Sequence, residues 1–302
     1  MSKILYVSSN NTTQEFKYNI EEDILRRLLV GGDIDKYSIN YNNDLLIYTT
    51  RATNIDDFPN TKIYLHNFFE KLNSRSETKS GILPWFSLNR NRYEELFTDI
   101  KIIMRQTSDS IRCVYDEHGF FTLDSILVLK KNTDQFGYKF IAAVLNSKLT
   151  DYLYKNLTQE EGRTFAQVKP ANVRKLYIPI ATPKEQQLLA NLYDYMCFLR
   201  DRDLPNIHEI VGNDFVGDYF QEIIDGCVYE LFFSKHMTEQ KIDIIQFVYD
   251  YIRPISGLSY EAQYKIIKES FTSIKMTNNP IRSRLMEFVT KSPDYLKPII
   301  KH

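Results

Sequence analysis

The sequence is poor in cysteine and histidine. It has three cysteines among 302 residues, Cys113, Cys197 and Cys227, and five scattered histidines. Widely spaced cysteines in odd number do not form a disulfide framework, and no histidine stands near a second histidine or a cysteine at the spacing of a zinc site. We therefore expect buried thiols in a reducing cytoplasm and no metal site.

Long apolar runs are also missing. No segment approaches the roughly 18–20 apolar residues of a membrane span. The first residues, MSKILYVSSNN, show neither the apolar core nor the cleavage site of a signal peptide. With 43% hydrophobic and 25% charged residues, the composition is that of a globular protein with a sizeable core. The expected location is the cytoplasm, without a membrane partner.

Motifs of enzyme active sites are absent as well. The sequence contains no Walker loop and no G-x-S-x-G turn, and the glycines of Val211–Gly217 do not follow a strand, as those of a dinucleotide loop would. Adenine and cytosine amino-methyltransferases need an Asn/Asp-Pro-Pro-Tyr/Phe loop. The nearest stretch, Asn279-Pro280-Ile281, lacks the second proline and the aromatic residue. We expect no catalytic residue, and no bound cofactor, in this chain.

A nuclease motif is matched only at its end. Asp99 and Lys101 have the Asp-x-Lys spacing of a carboxylate–lysine site, but the segment from Ser80 to Phe97 contains no aspartate to precede them. The preferred interpretation is that Asp99 ends a loop and Lys101 opens a strand.

The net charge of −1 hides an uneven distribution. Lysine and arginine minus aspartate and glutamate is −1 for residues 1–80, +3 for 81–180, −8 for 181–250 and +5 for 251–302. A polyanion responds to the local charge and not to the total. The basic stretch at 81–180 is compatible with nucleic-acid binding, although charges scattered over solvated helices would give the same counts.

Hydrophobic periodicity divides the chain in two. The predicted helices of the first part are Glu21–Val30 and Pro59–Arg75, and its predicted strands are Asp44–Thr50, Ile100–Gln106, Ile111–Asp116, Phe120–Leu123 and Ser125–Lys130. The turn signal DEHG predicts that Ile111–Leu123 is a hairpin. From Pro183 onward five helical segments follow, at 183–203, 214–233, 238–252, 259–276 and 281–291. The predicted fold is α+β, with a mixed-sheet domain over residues 1–180 and an all-helical domain over 181–302.

The segment Tyr138–Leu157 has an interrupted helical pattern. Apolar residues recur at helical spacing, but Asn146 and Ser147 stand in the middle. Both side chains compete for backbone hydrogen bonds and favour caps and turns. The pattern predicts one helix that ends near Leu145 and a second that starts at Asn146 or Ser147.

Eight segments in order, spread over about residues 25–200, resemble one known module. They are LLVGGDIDKY, LLIYTTRAT, FPNTKIYLHNFFEKLNSR, LPWFSLNRNR, DIKIIMRQTSDSIRCVYDEHGFFTLDSILVLK, YKFIAAVLNSKLTDYLYKNL, GRTFAQVKPANVRKLYIPI and PKEQQLLANLYDYM. Their order is similar to that of the C-terminal target-recognition (specificity) domain of TaqI-type adenine-specific DNA methyltransferases and of related type IIG restriction–modification enzymes. Ile223–Phe233 also resembles a helix of the fused enzymes in which Asp-x-x-Val-Tyr-x-Leu recurs.

The resemblance implies a role in sequence-specific recognition of double-stranded DNA. In that family the helix, polar corner and second helix brace the recognition sheet, so Asn146 and Ser147 are expected to be structural and not to read bases. Full-length members carry an upstream methyltransferase domain. The implied partner is therefore a methyltransferase domain or subunit, with or without a nuclease, which would hold S-adenosylmethionine and Mg²⁺. Whether this chain is a fragment or a separate recognition subunit stays open.

Candidate DNA contacts are seven basic residues and one threonine on predicted loops and strand ends. They are Arg51, Arg90, Arg92, Arg105, Arg112, Arg163, Thr164 and Lys169. Lysines and arginines of this kind contact phosphates, and a few side chains read base edges; each arginine could equally be a solvated charge or part of a surface ion pair. Trp85 could stack on DNA, but a core role is at least as plausible. The alternative for the whole chain is a helical protein–protein docking adapter without DNA contact.

Overall fold

The computed structural model describes residues 4–9, 16–90, 92–158, 166–201 and 204–302. Its strands are β1 (Ile4–Ser9), β2 (Phe16–Glu21), β3 (Leu25–Leu29), β4 (Ile34–Asp35), β5 (Ser38–Ile39), β6 (Leu45–Ile47), β7 (Lys101–Arg105), β8 (Cys113–Asp116), β9 (Phe121–Thr122) and β10 (Ile126–Leu129). Its helices are α1 (Pro59–His66), α2 (Phe69–Asn73), α3 (Ser76–Lys79), α4 (Glu95–Thr98), α5 (Tyr138–Leu145), α6 (Lys148–Thr158), α7 (Pro170–Val173), α8 (Pro183–Leu199), α9 (Asn213–Glu239), α10 (Ile245–Val248), α11 (Tyr260–Lys275), α12 (Pro280–Lys291) and α13 (Leu296–Ile300).

The predicted α+β class is confirmed. Among the described residues, strands occur up to Leu129, and every element from Pro183 onward is a helix. None of the helices in the described ranges has the length and hydropathy needed to cross a membrane.

The described residues form two compact units, each discontinuous in sequence. The first unit takes the described residues of Met1–Leu29, Tyr41–Asp99 and His118–Leu123, and the second takes those of Val30–Asn40, Ile100–Glu117 and Asp124–His302. This division rests on compactness alone, and the domain limits expected from the sequence, 1–180 and 181–302, stay a prediction.

The first unit is built around β3. Leu25 to Arg27 pair antiparallel with β6, and Leu28 and Leu29 pair in parallel with β9. The helix predicted for Glu21–Val30 is therefore wrong. Leu25 and Leu29 are buried, and pairing with two distant segments outweighs a local helical preference.

Glu21 holds the start of α1. Its carboxylate accepts hydrogen bonds from the backbone N–H groups of Asn60 and Thr61, both at 2.9 Å, and from the Thr61 hydroxyl at 2.6 Å. A carboxylate in this position satisfies amides that the first helical turn leaves open. Pro59 is the first helical residue, as predicted, but the predicted helix divides into α1 and α2.

The predicted hairpin over Ile111–Leu123 is also wrong. Its first arm, β8, pairs antiparallel with β7, whereas its second arm, β9, pairs with β3. A turn does follow β8, and Gly119 takes a φ of +73° that favours glycine. Strand patterns identify strands but not their partners, and here both arms pair with other segments.

The second unit contains the predicted sheet of β7, β8 and β10. β7 lies in the centre and pairs antiparallel with both neighbours, with Lys101 opposite Asp116 and Ile102 opposite Leu129. Residues Lys101 to Met104 are all buried, so this strand is covered on both faces.

Side chains from the helices cover the outer edge of β8. The Asn146 side chain accepts a hydrogen bond from Cys113 N–H at 3.1 Å and donates one to Cys113 C=O at 2.9 Å. The Tyr193 hydroxyl accepts one from Tyr115 N–H at 2.8 Å. An open strand edge is otherwise a template for unwanted pairing. Asn146, between α5 and α6, and Tyr193, in α8, close this edge of the sheet.

The predicted break between two helices is confirmed, and α9 explains how the second helix starts. α5 ends at Leu145 and α6 begins at Lys148. The backbone N–H of Lys148 donates to the carboxylate of Asp225, in α9, at 2.8 Å. Asp225 is the acid of the Asp-x-x-Val-Tyr-x-Leu pattern, so in this chain that pattern includes a cap for a neighbouring helix.

One helix of the C-terminal part differs from its prediction. The segment 238–252 contains the end of α9, a turn with Lys241 at a φ of +57°, and the short α10. The turn lets Glu230 accept the N–H groups of Ile244 and Ile245, at 2.5 and 2.8 Å. The isoleucines and the valine of this segment are buried without a continuous helix, because the chain folds back on α9.

Candidate nucleic-acid interface

Arg51 lies at the tip of a closed turn in the first unit. Thr53 N–H donates to Thr50 C=O at 3.1 Å, and the Thr53 hydroxyl accepts from Thr50 N–H at 2.8 Å. Ala52 N–H donates to the Thr50 hydroxyl at 3.2 Å. The two threonines fix the backbone on both sides of Arg51, whose side chain is exposed.

A second loop is tied to the chain just before that turn. Leu88 N–H donates to Thr49 C=O at 2.9 Å, and the Thr49 hydroxyl donates to Phe86 C=O at 2.6 Å. The Tyr48 hydroxyl donates to the carbonyl of Arg92 at 2.8 Å. These bonds place the loop that carries Arg90 and Arg92 beside the turn that carries Arg51. We call the two segments, residues 50–53 and 86–92 without residue 91, the arginine loops.

The guanidinium groups of the arginine loops are available for an external ligand. Neither Arg51 nor Arg90 nor Arg92 forms a side-chain hydrogen bond or an ion pair with another residue of the described ranges. Arg90 acts at longer range on Glu77, whose pKa is lowered first by the Ser76 hydroxyl and to a small extent by Arg90. Three arginines on braced loops are suited to an external anion.

Other arginines of the same unit are already engaged. The Arg26 guanidinium forms an ion pair with Glu94 at 2.8 Å. The Arg75 guanidinium donates to the carbonyls of Leu72 and Trp85, at 2.9 and 2.6 Å. These residues stabilise the unit, which separates them from the three of the arginine loops.

Trp85 belongs to an aromatic cluster within the first unit. Its ring centroid lies 5.2 Å from that of Phe69, 5.9 Å from that of His66 and 5.8 Å from that of Phe86. The ring is half-buried. This packing anchors the start of the 86–92 loop against α1 and α2.

The candidates of the second unit are more constrained. Arg105 donates through Nε to Thr107 C=O at 2.8 Å, and Arg112 forms an ion pair with Asp35 at 3.1 Å. Lys169 is exposed, and its backbone N–H donates to the Tyr154 hydroxyl at 3.1 Å.

The backbone places Lys169 near the end of β7. Val168 N–H donates to Gln106 C=O at 2.7 Å, which brings the segment before α7 next to the strand that ends at Arg105. Arg163 and Thr164 lie outside the described residues.

Asn146 and Ser147 are inside the protein. Both are 0% exposed. The Ser147 hydroxyl donates to Val144 C=O at 2.7 Å, and Asn146 holds Cys113 as described above. These contacts engage both side chains within the second unit.

A polar cleft around Arg112 was not foreseen from the sequence. It has a volume of about 350 Å³ and is lined by Asp35, Lys36, Ser38, Ser110, Arg112, Asp151 and Arg200. Lys36 is fixed there by an ion pair with Asp151 at 2.7 Å. Its residues come from four separated segments, so no local pattern could have indicated it.

The structure offers little support for catalysis in the described ranges. No group of three or more His, Cys, Asp or Glu side chains there is arranged to hold a metal ion. Lys101 opens β7, is 0% exposed and is paired with Asp116, so its ammonium is engaged inside the protein. Cys113 and Cys227 are buried, and burial raises the pKa of both thiols, which keeps them protonated and unreactive.

Two comparisons place these observations among known proteins. Residues 26–180 match the family described as the TaqI-like C-terminal specificity domain. A solved structure, the Type IIL restriction-modification enzyme MmeI in complex with DNA, is similar over 84% of this chain at 10% sequence identity and a TM-score of 0.45. The chain spans 31% of the length of that structure.

Proposed function

This chain belongs to the family of TaqI-like C-terminal specificity domains, and from that membership we propose that it recognises a DNA sequence for a restriction–modification enzyme. The family matches more than half of the chain and includes both arginine loops. In this proposal the chain binds duplex DNA and positions a catalytic partner on it.

The observation that carries the proposal is the pairing of the arginine loops. A hydrogen-bonded scaffold holds their backbones, so little conformational entropy is lost when the side chains engage DNA. Arginine can bind phosphate or, through a bidentate contact, the O6 and N7 atoms of guanine in the major groove. Phosphate contacts would set register and affinity, and base contacts would set specificity.

In the second unit, Lys169 and Arg105 are proposed as phosphate contacts. Lys169 is exposed and its backbone is tied to the region of β7. Arg112 is proposed as a weaker contact, because Asp35 competes with DNA for its guanidinium. An exposed ion pair of this kind is worth about 0–1 kcal/mol, so a phosphate could replace the aspartate.

The catalytic partner is proposed to be a methyltransferase domain or subunit, with or without a nuclease. The described residues do not fit S-adenosylmethionine: Gly212 precedes α9, Gly217 lies within that helix, and the segment before them is not a strand. A magnesium site would need clustered carboxylates, which the described ranges do not show. We therefore assign both groups to the partner and derive no step through them.

The test is a fluorescence anisotropy titration of labelled duplex DNA with this chain at several salt concentrations. DNA binding through phosphates requires that log K fall linearly with log salt, by about 0.9 per phosphate contact. Absence of binding even at low salt would contradict the proposal and would favour the docking-adapter alternative.

A further inference from the structure

The helical part of the second unit contains a hollow that combines apolar walls with two cations. Its volume is about 460 Å³. Its walls include Val211, Phe215, Phe271 and Met276, together with Lys275 and Arg282, and no carboxylate is among the lining residues that the structure describes. We call it the Lys275 hollow. A concave apolar site with a few convergent polar groups is typical of small-molecule binding.

Lys275 lies in this wall and forms no ion pair with a described residue, although Glu222, which lines a neighbouring cavity, acts on it at longer range. Its ammonium nitrogen stands 4.6 Å from the ring centroid of Phe215 and 4.1 Å from that of Tyr219. No hydrogen-bond acceptor or ion-pair partner of this ammonium is found in the described ranges. Burial, and then the neighbouring charge of Arg282, lowers the pKa of Lys275, and the charge of Glu222 acts in the opposite direction. Two adjacent cations with unused hydrogen-bond donors can bind an anion.

Arg282 is held in place by the backbone and keeps donors free. One guanidinium nitrogen donates to Lys275 C=O at 2.7 Å, which fixes the two residues against each other. The remaining N–H groups have no acceptor among the described residues. A planar guanidinium beside an ammonium is well suited to a phosphate or a carboxylate.

The charges lining the neighbouring cavity favour binding of an anion in the Lys275 hollow instead. A larger cavity of about 620 Å³ shares Phe215, Lys275 and Arg282 with the hollow, and it contains Asp218 and Glu222. These acids would repel an anion there. Among the described residues, no acid lines the Lys275 hollow, and the rings of Phe215 and Phe271 offer apolar faces for the rest of a ligand.

We propose that the Lys275 hollow binds a small organic anion with a flat or apolar body, the class to which nucleoside monophosphates belong. The anionic group lies on Lys275 and Arg282, and the body lies on Phe215, Phe271 and Met276. This site belongs to the helical part and does not depend on the DNA-binding proposal.

The test is isothermal titration calorimetry of the 302-residue chain with adenosine 5′-monophosphate, adenosine and inorganic phosphate. The monophosphate should bind at least about tenfold more tightly than either of the others, since only it offers both the charge and the body. Lys275→Gln and Arg282→Gln should each weaken it by about tenfold or more, and Lys275→Arg should retain most of the affinity.

Lys265→Gln is the matched control, because Lys265 is a 77%-exposed residue of the same helix, α11. It should bind the monophosphate as the parent does, and a thermal melt of each variant should show that it is folded. The proposal is overturned if the monophosphate and adenosine bind equally, if neither binds at millimolar concentration, or if the folded Lys275→Gln and Lys265→Gln variants behave alike. It is equally overturned if Lys275→Gln weakens duplex DNA binding while the monophosphate does not bind.

Discussion

Asn146 forms the two hydrogen bonds to Cys113 that a neighbouring strand would form. Its Oδ1 accepts from Cys113 N–H at 3.1 Å, and its Nδ2 donates to Cys113 C=O at 2.9 Å. The residue that interrupts the helical pattern thus closes the edge of the sheet. Asn146 lies in the break between α5 and α6, and this break lets its side chain reach the backbone of Cys113.

Asn146→Ala should lower the free energy of unfolding by about 2–4 kcal/mol. The buried N–H of Cys113 loses its acceptor, and the C=O of Cys113 keeps only the donor Tyr37 N–H. Urea denaturation followed by circular dichroism measures this. Asn156→Ala is the control, since Asn156 is exposed and its side chain, among the described residues, donates only to Tyr152 C=O within α6, at 2.9 Å. If both variants lose the same small amount, the closing role of Asn146 is wrong.

Lys101 and Asp116 face each other across β7 and β8 as an ion pair of 2.5 Å, both 0% exposed. Lys101→Met should cost about 3–5 kcal/mol, because it removes the cation from a buried carboxylate. The double variant Lys101→Met/Asp116→Leu should recover most of that loss, as an apolar pair tolerates burial.

Chemical denaturation of the four proteins of this double-mutant cycle gives the coupling energy. Lys235→Met serves as the surface comparison, since Lys235 is 90% exposed, its partner Glu239 is 58% exposed, and such a pair contributes about 0–1 kcal/mol. A single variant Lys101→Met as stable as the parent would refute the importance of the pair.

Asp225 should make stability depend on pH. Burial raises the pKa of Asp225 from 3.8 to about 6, and hydrogen bonds from Lys148 N–H and Gln221 act in the opposite direction. The folded state therefore holds the proton more tightly than the unfolded state. Protonated Asp225 therefore stabilises the folded state fully below about pH 4, and this stabilisation, about 3 kcal/mol in total, is lost as the pH rises to about 6.

Asp225→Asn should remove this pH dependence, because the amide keeps an oxygen for Lys148 N–H and carries no charge. The measurement is the unfolding free energy from urea titrations between pH 4.5 and 7.5. Relative to the variant, the parent should lose about 2 kcal/mol over that range. Parallel curves for the two proteins would show that Asp225 does not titrate there.

Arg51, Arg90 and Arg92 should each contribute to DNA affinity. An Arg→Ala change at a phosphate contact should weaken binding to all sequences and reduce the salt slope by about one. A change at a base contact should cost roughly 1–3 kcal/mol on the preferred site and relax specificity there. Lys235→Ala controls for the loss of one charge, since Lys235 is 90% exposed in α9. Equal binding by all four variants and the parent would exclude the arginine loops from the interface.

The purified chain should not methylate DNA by itself. No Asn-Pro-Pro-Tyr-type loop and no glycine-rich cofactor loop occur in the sequence, and these hold the target base and the methyl donor in amino-methyltransferases. Incubation of the chain with duplex DNA and radiolabelled S-adenosylmethionine measures this. Incorporation above that of a heat-denatured sample would contradict the prediction.

The sequence by itself determined the features that short-range physics controls. The helices α8, α11 and α12 follow from hydrophobic spacing, and α8 also from the proline at its start. The break at Asn146-Ser147 follows from cap chemistry, and the strands β7, β8 and β10 from their β-rich runs. Each of these signals lies within about twenty residues, so each can be identified without knowing what the segment packs against.

Only the tertiary structure decided which segments meet. Leu25–Leu29 looks helical alone and becomes a strand because β6 and β9 satisfy both of its edges. The same holds for the pairing of Lys101 with Asp116 and for the bonds from Tyr48 and Thr49 that unite the arginine loops. Such contacts join residues far apart in the chain, and they are selected by the burial and hydrogen bonding of the whole unit, which no local pattern encodes.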